Sequence, residues 1–491
     1  MARSLSRTLI AACAATLLGA GCSGSGDGTL SIVAIGNPTD PFETGTRLSP
    51  TGQTVRGATI EGLVGFDEQA RVVPALADRW IVTDDGLSYD FRLRDGTWPD
   101  GSQITAQTAR ASLTQAISSL KGTTLGADLG AITEVRIMAG RVIEVRLSRP
   151  MPNLLQLLAQ PELGMVWGRR GSGPMRLRRD GDVALLQPIA PQNRGLPEER
   201  NWTDRIRTLR LQAAPAREAV RRFNAGEADV LLGGRIESFP LARSAGISRG
   251  TIQLDPVIGL FGLSVARSGD FLAAPENRES LAMAIDREAL IAAFGVAGWT
   301  PSTRIVSPGV EGDSGLVGAR WPTVSLDQRR QTAAERVARW RASRGSAPVL
   351  SLSLPRGPGS DVLFDRLRQD LAAIGVVLRR VGEGAPADLR LLDVVARYPR
   401  ASWFLNQLSC GAKRGLCSAS ADQYLVEALA TANLAEQANL LAEAEAELTS
   451  ANVFVPFGPP IRWSLVRGSV TGFATNRWNV HPLMPMAMRP R

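Results

Sequence analysis

The sequence predicts an α/β protein built from more than one domain. Short apolar runs ending in Gly or Pro alternate with amphipathic helical stretches, the pattern of strands feeding helices. The chain has 491 residues and 44% hydrophobic content, enough to bury a core divided over several units. Residues 80–101 add three Asp-Gly pairs in one short span: Asp85-Gly86, Asp95-Gly96 and Asp100-Gly101. Asp-Gly accepts the positive φ of tight turns, so this stretch reads as three turns around a half-buried strand.

Taken in order, the N-terminus is a targeting segment. Arg3 and Arg7 precede an apolar stretch from Leu9 that is too short to span a bilayer stably. It ends at Cys22 after Leu18-Gly19-Ala20-Gly21, which resembles a bacterial lipobox with Gly19 where Leu is usual. Residues 1–21 then form a lipoprotein signal peptide, Cys22 is the lipidated first residue, and residues 22–29 are a flexible tether. The alternative is a plain secretory signal cleaved nearby. The body of the chain is expected to be exported to the periplasmic side of a bacterial membrane.

Residues 30–36 are a buried-strand candidate. Asp85-Gly86 opens a hairpin whose second strand sets Tyr89, Phe91 and Leu93 on one face. Thr105 is placed to cap a helix through Ala109 and Leu113. Pro215 starts a helix with Val220 and Phe223 on one face; Gly226 ends it and a strand follows. Residues 276–295 hold two helical pieces, with Leu281 and Ile285 inward and Asp286 capping the second. Residues 348–355 are a strand, and residues 361–381 a helix, a Gly and another strand. An Ala/Leu/Glu helix follows, with Ala438, Leu441 and Leu448 on its apolar stripe. A Pro-interrupted extended segment over residues 453–466 comes after it.

The formal charge is +9, and of the 56 basic residues only Lys121 and Lys413 are lysines. The arginines are scattered without a run and aromatics are scarce, so nucleic-acid binding is not expected. Cys13 leaves with the signal. Cys410 and Cys417 are expected to form a disulfide in an oxidising compartment, stabilising by roughly 2.5 kcal/mol on the chain-entropy account. One histidine excludes a His-rich metal site, and no phosphate loop or dinucleotide fingerprint is present. No cofactor and no metal are therefore expected. The run Gly312-Asp313-Ser314-Gly315 superficially looks like a serine-protease loop, but the sole histidine, His481, lies after it instead of well before.

Several blocks carry a resemblance over nearly the whole mature chain. The stretch GLVGFDEQARVVPALADRWIVTDDGLSYDFRLRDGTWPDGSQITAQTARASL, followed by FNAGEADV, AIDREAL, DLAAIGVVL and VPFGPPIRWSLVRGSVTGF, resembles the family-5 extracellular solute-binding proteins of peptide-type ABC transporters. The resemblance implies a type II periplasmic-binding-protein fold of two hinged lobes, with an extra domain on the first. Residues 30–58, 175–254 and 463–491 would form a discontinuous lobe I, residues 59–174 the extra domain and residues 255–462 lobe II. It further implies a monomeric binder that captures a peptide or peptide-like solute and delivers it to ABC permease subunits, with no catalytic residue. A secreted hydrolase on a similar frame, or a transport-independent chaperone or sensor, are the competing readings.

Oligopeptide-binding relatives place an Asp, within an Ala-Asp-Tyr run, against the ligand's ammonium. The matching run here is Ala396-Arg397-Tyr398, followed by Phe404-Leu405-Asn406. An arginine attracts a carboxylate or phosphate instead. Arg397 is thus expected either to meet an anionic group of the ligand, or to pair inside the chain, with Asp393 as candidate partner, or to face solvent. Asp393, Val394 and Val395 would offer backbone groups to an extended peptide. Trp403 is a candidate wall of the site or a core residue. Gly36 and Asn37 match the contact segment of the opposing lobe.

Overall fold

The computed structural model describes residues 28–168, 170–243 and 250–489. The expected signal peptide, Cys22 and the expected tether through residue 27 lie outside the described residues.

Two sheets carry the architecture. The first has seven strands, in spatial order Met175–Asp180, Val183–Pro188, Leu209–Ala214, Leu30–Ile35, Val230–Arg235, Arg462–Val466 and Ile252–Leu254. Its centre is parallel, with Leu30–Ile35 running between Leu209–Ala214 and Val230–Arg235. Both faces of that centre are covered. Ile32 packs into one core with Val55 and Leu483, while its neighbour Val33 packs into another with Val220 and Phe223. Burial on both faces explains why the strand reads as a nearly continuous apolar run, broken only by Ser31.

The second sheet has five strands, in order Val377–Val381, Val349–Ser353, Leu389–Val395, Gly259–Val265 and Phe454–Gly458. The chain leaves the first sheet after Leu254 and re-enters it at Arg462. The first lobe therefore gathers the beginning, a middle part and the end of the chain. The two crossings are tied together, since the Asp255 N–H donates to the Arg462 carbonyl at 3.1 Å.

A third unit stands on the first lobe. Its antiparallel sheet takes Ala77–Val82, Ser88–Leu93, Val142–Leu147 and Ile132–Ala139 in spatial order, with helix Ala106–Ser119 packed against it. Tyr89, Phe91 and Leu93 alternate into its core. Thr105 caps the helix in a reciprocal pair with Thr108. Only two of the three Asp-Gly pairs make positive-φ turns: Gly86 has φ 67° and Gly101 φ 87°. The middle pair differs. Gly96 lies close to the Arg194 carbonyl, where a Cβ would come within 3.3 Å, and Asp95 pairs with Arg141. That glycine serves close approach of two backbones and not a turn.

Phe91 is fully enclosed. Phe91→Ala is expected to destabilise this unit by about 3–5 kcal/mol. The check is the urea midpoint of its unfolding; an unchanged midpoint would show that the sheet does not depend on this ring.

Candidate functional site

A cavity of about 650 Å³ lies where the three units meet. That is the size of a small-molecule or short-peptide site. Ala34, Leu232 and Arg235 of the first sheet form one wall. Glu61 and Gln160 of the third unit contribute a second. Residues 393–397, Trp403, Gln407 and Arg414 of the second lobe form the third.

The second-lobe wall is an open strand edge. Leu389–Val395 pairs along its length with Gly259–Val265 on one side. On the other it meets Val349–Ser353 only at Leu389 and Arg390. The Ala396 N–H donates to the Ile258 carbonyl at 2.8 Å. By the alternation of an antiparallel ladder, Asp393 and Val395 turn their backbone groups the other way, toward the open edge. The Asp393 carbonyl there accepts from Arg235 Nη2 at 2.6 Å and Arg462 Nη2 at 3.2 Å. Val395 presents its groups beside the cavity with no strand next to them.

Asp393 lies on the wall, but its carboxylate is occupied. Arg462 Nη1 reaches Oδ1 at 2.8 Å and Arg235 Nη2 reaches Oδ2 at 3.2 Å. Burial pushes this carboxyl up, yet the two guanidinium groups outweigh burial and hold it below the usual Asp value. Asp393 is therefore not the partner of Arg397. Side chains four residues apart on an extended segment are about 13 Å apart. Arg397 instead reaches Glu162 of the third unit, Nη2 to Oε1 at 2.9 Å, and the same oxygen lies 3.4 Å from Gln53 Nε2 of the first lobe.

Tyr398 stands behind the wall. Its hydroxyl donates to Asp128 Oδ1 at 2.8 Å, and Asn406 Nδ2 donates to the same oxygen at 3.1 Å. This joins the second lobe to the third unit. Trp403 is on the wall and buried, edge-on to Phe404 at 5.1 Å between ring centroids. Gly36 and Asn37 lie off the wall. Asp40 Oδ2 accepts from the Asn37 N–H at 2.9 Å and turns the chain away after Ile35, so this strand reaches the cavity through Ala34.

Cys410 and Cys417 are bonded, with Cα atoms 5.1 Å apart. Their loop exposes Lys413 and places Arg414 on the cavity wall. It is anchored to the five-stranded sheet: the Ser264 hydroxyl donates to the Arg414 carbonyl at 2.9 Å, and the Leu416 N–H to the Val265 carbonyl at 2.7 Å.

His481 lies on the cavity wall. Its Nε2 is 3.0 Å from Asp255 Oδ2, and its ring stacks on Phe473. Ser314 accepts from the Leu316 N–H within its own turn, and the neighbouring Asp313 pairs with Arg304. The two residues of the protease-like reading are thus engaged in separate places. Among the described residues no group of three or more His, Cys, Asp or Glu is arranged to hold a metal.

Asp128 makes the contact between the third unit and the second lobe sensitive to pH. Burial pushes its carboxyl up from 3.8 to about 6, against the opposing pull of Tyr398, Arg397, Asn406 and Arg149. A carboxyl raised in the assembled state contributes stability that is complete below its ordinary value and is lost as pH rises through about 6. Wild type is therefore expected to gain melting temperature relative to Asp128→Asn as pH falls from about 7.5 to about 4.5. A difference between the two that stays constant with pH would refute this assignment.

Comparison with known proteins places the chain. Residues 71–183 match the family described as bacterial extracellular solute-binding proteins, family 5 middle. The glutathione-binding protein GsiB of Escherichia coli (strain K12) is 26% identical over 340 residues, covering 63% of this chain and 62% of GsiB. Its Salmonella typhimurium counterpart is 25% identical over 304 residues, covering 57% and 56%. The chain thus spans less than two thirds of the length of these relatives. Among solved structures, Haemophilus influenzae OppA in complex with RPPGFSPFR superposes with TM-score 0.79 at 15% identity, covering 95% of this chain and 99% of OppA. The Escherichia coli murein tripeptide binding protein MppA gives TM-score 0.79 at 17% identity, covering 94% and 99%. The fold is the type II periplasmic-binding-protein fold, and the match to the bacterial extracellular solute-binding proteins of family 5 lies in residues 71–183.

Proposed function

We propose that this protein is the extracytoplasmic substrate-binding component of an ABC importer. It holds a peptide or peptide-like solute between its lobes and presents the closed form to the permease. The observation that carries this reading is the cavity walled by both lobes with a strand edge that no other strand pairs, at residues 393–395, along one side. An extended solute adds to that edge through main-chain hydrogen bonds, which are indifferent to side-chain sequence. Because its contacts bridge the lobes, the solute favours the closed form by its extra affinity for that form and by nothing else. The glutathione ligand of the GsiB relatives and the peptide held by OppA support a cargo of this size and backbone chemistry. Anchoring through a lipid on Cys22, a periplasmic location and a monomeric state complete the reading.

Mass spectrometry of small molecules released on denaturing the purified protein is expected to find one bound solute class. Titration with glutathione, followed by intrinsic tryptophan fluorescence, is expected to saturate stoichiometrically without turnover; Trp403 on the wall supplies the signal. Formation of a product would overturn the binder reading in favour of an enzyme.

Arg397 is part of this reading, as a guanidinium that an anionic group of the solute shares with Glu162. Arg397→Ala is expected to weaken binding of the released solute about tenfold or more. Unchanged affinity would confine Arg397 to its internal pair.

A further inference from the structure

Five arginines line the cavity, and four are committed to the protein's own acids. Arg194 pairs with Glu61, Arg235 and Arg462 share Asp393, and Arg397 pairs with Glu162. Arg414 is different. Among the described residues its guanidinium makes no hydrogen bond or ion pair, and the charge beside it is the like charge of Arg397. Burial first, and Arg397 second, hold it below the usual arginine value. A half-buried cation next to another cation is unfavourable unless something negative joins them.

A second observation points to the same place. Gln407 lies on the same wall and is only 2% exposed. Its side-chain amide makes no hydrogen bond among the described residues, so its donors and acceptor remain available at the cavity. Gln407 follows helix Ala401–Asn406 and bonds back through its N–H to the Trp403 carbonyl at 3.2 Å. Spacing of four along a helical turn sets its amide on the face of Trp403. The loop that carries Arg414 is closed by the Cys410–Cys417 disulfide and pinned to the sheet at Ser264 and Val265. The backbone that carries the guanidinium is thus held in place before any solute arrives, which lowers the entropy cost of binding.

We propose that Arg414 and Gln407 form the receptor for a carboxylate of the solute, with Arg397 at its edge, so that the cargo is an organic acid. A carboxylate offers two oxygens to the guanidinium fork and still has a lone pair for the Gln407 amide. It supplies the negative charge that Arg414 lacks. This proposal rests on the reading of the protein as a solute binder, and goes beyond it by naming the cargo class and the residues that select it.

The test uses the full-length protein, stripped of bound solute and incubated with a bacterial small-molecule extract divided by anion exchange into acids and non-acids. Retained molecules are counted by mass spectrometry after gel filtration. Wild type is expected to retain solute from the acid fraction only. Arg414→Gln is expected to retain it roughly 30-fold less well, while Arg379→Gln, an exposed arginine on the outer strand of the same lobe, retains it as wild type does. Arg414→Lys keeps the charge without the fork and should fall between. Because the Arg414 side chain has no partner to orphan, the melting curves of both variants should match wild type. Converting the carboxyl groups of the acid fraction to methyl esters is expected to abolish retention. Retention that survives esterification identifies a phosphate instead and overturns the carboxylate. Retention from the non-acid fraction alone, or equal retention by both Arg414 variants and wild type, overturns the proposal and leaves the binder reading standing. Retention of nothing from either fraction removes both.

Discussion

One buried carboxylate fixes the separation of the two lobes. Asp393 belongs to the five-stranded sheet, while Arg235 and Arg462, which grip its two oxygens and its carbonyl, belong to the seven-stranded sheet. None of these charges could be buried alone without a cost of several kcal/mol. Together they satisfy one another only when the two sheets stand in one relation. Residues 394–397 follow directly in the chain, so the position of the open edge relative to Ala34 and Leu232 is set by this cluster. The tie between the crossings at Asp255 and Arg462 lies on the same line. The floor of the cleft is thus an electrostatic construction.

The upper wall of the cleft depends on the third unit. Asp128 and Glu162 are acids of that unit, and Tyr398, Asn406 and Arg397 are donors of the second lobe. The contact is costly to form, because Asp128 Oδ2 and Glu162 Oε2 are both buried without a partner. The third unit therefore does more than support the first lobe: it also meets the second.

What the sequence made legible was local. Asp286 caps its helix through the Ala289 N–H, Gly226 takes φ 79°, and Thr105 caps where a Thr before an apolar period should. Each is decided within four residues, and so is the alternation of Tyr89, Phe91 and Leu93. The order of the lobes followed from the resemblance and not from periodicity. The site was legible where it coincides with a strand end, at residues 393–397, and at Trp403. The partner of Arg397 was not, because Glu162 is 235 residues away and no spacing rule reaches it. Gly96 misled because a glycine needed for close approach looks the same as one needed for a turn. Gly36 and Asn37 misled because a three-residue turn around Asp40 takes the strand end off the wall. Arg414 and Gln407 carried no signal at all, since an arginine in a chain with almost no lysine is not distinctive.

That near-absence of lysine has a use. The side-chain amines of the chain are Lys121, exposed on the third unit, and Lys413, exposed on the disulfide loop of the second lobe. They stand on opposite sides of the interface that Asp128 and Tyr398 bridge. An amine-reactive dye pair thus attaches, without any engineered cysteine, to the third unit and the second lobe. Energy transfer between the dyes then turns the native molecule into a ruler of the distance between them.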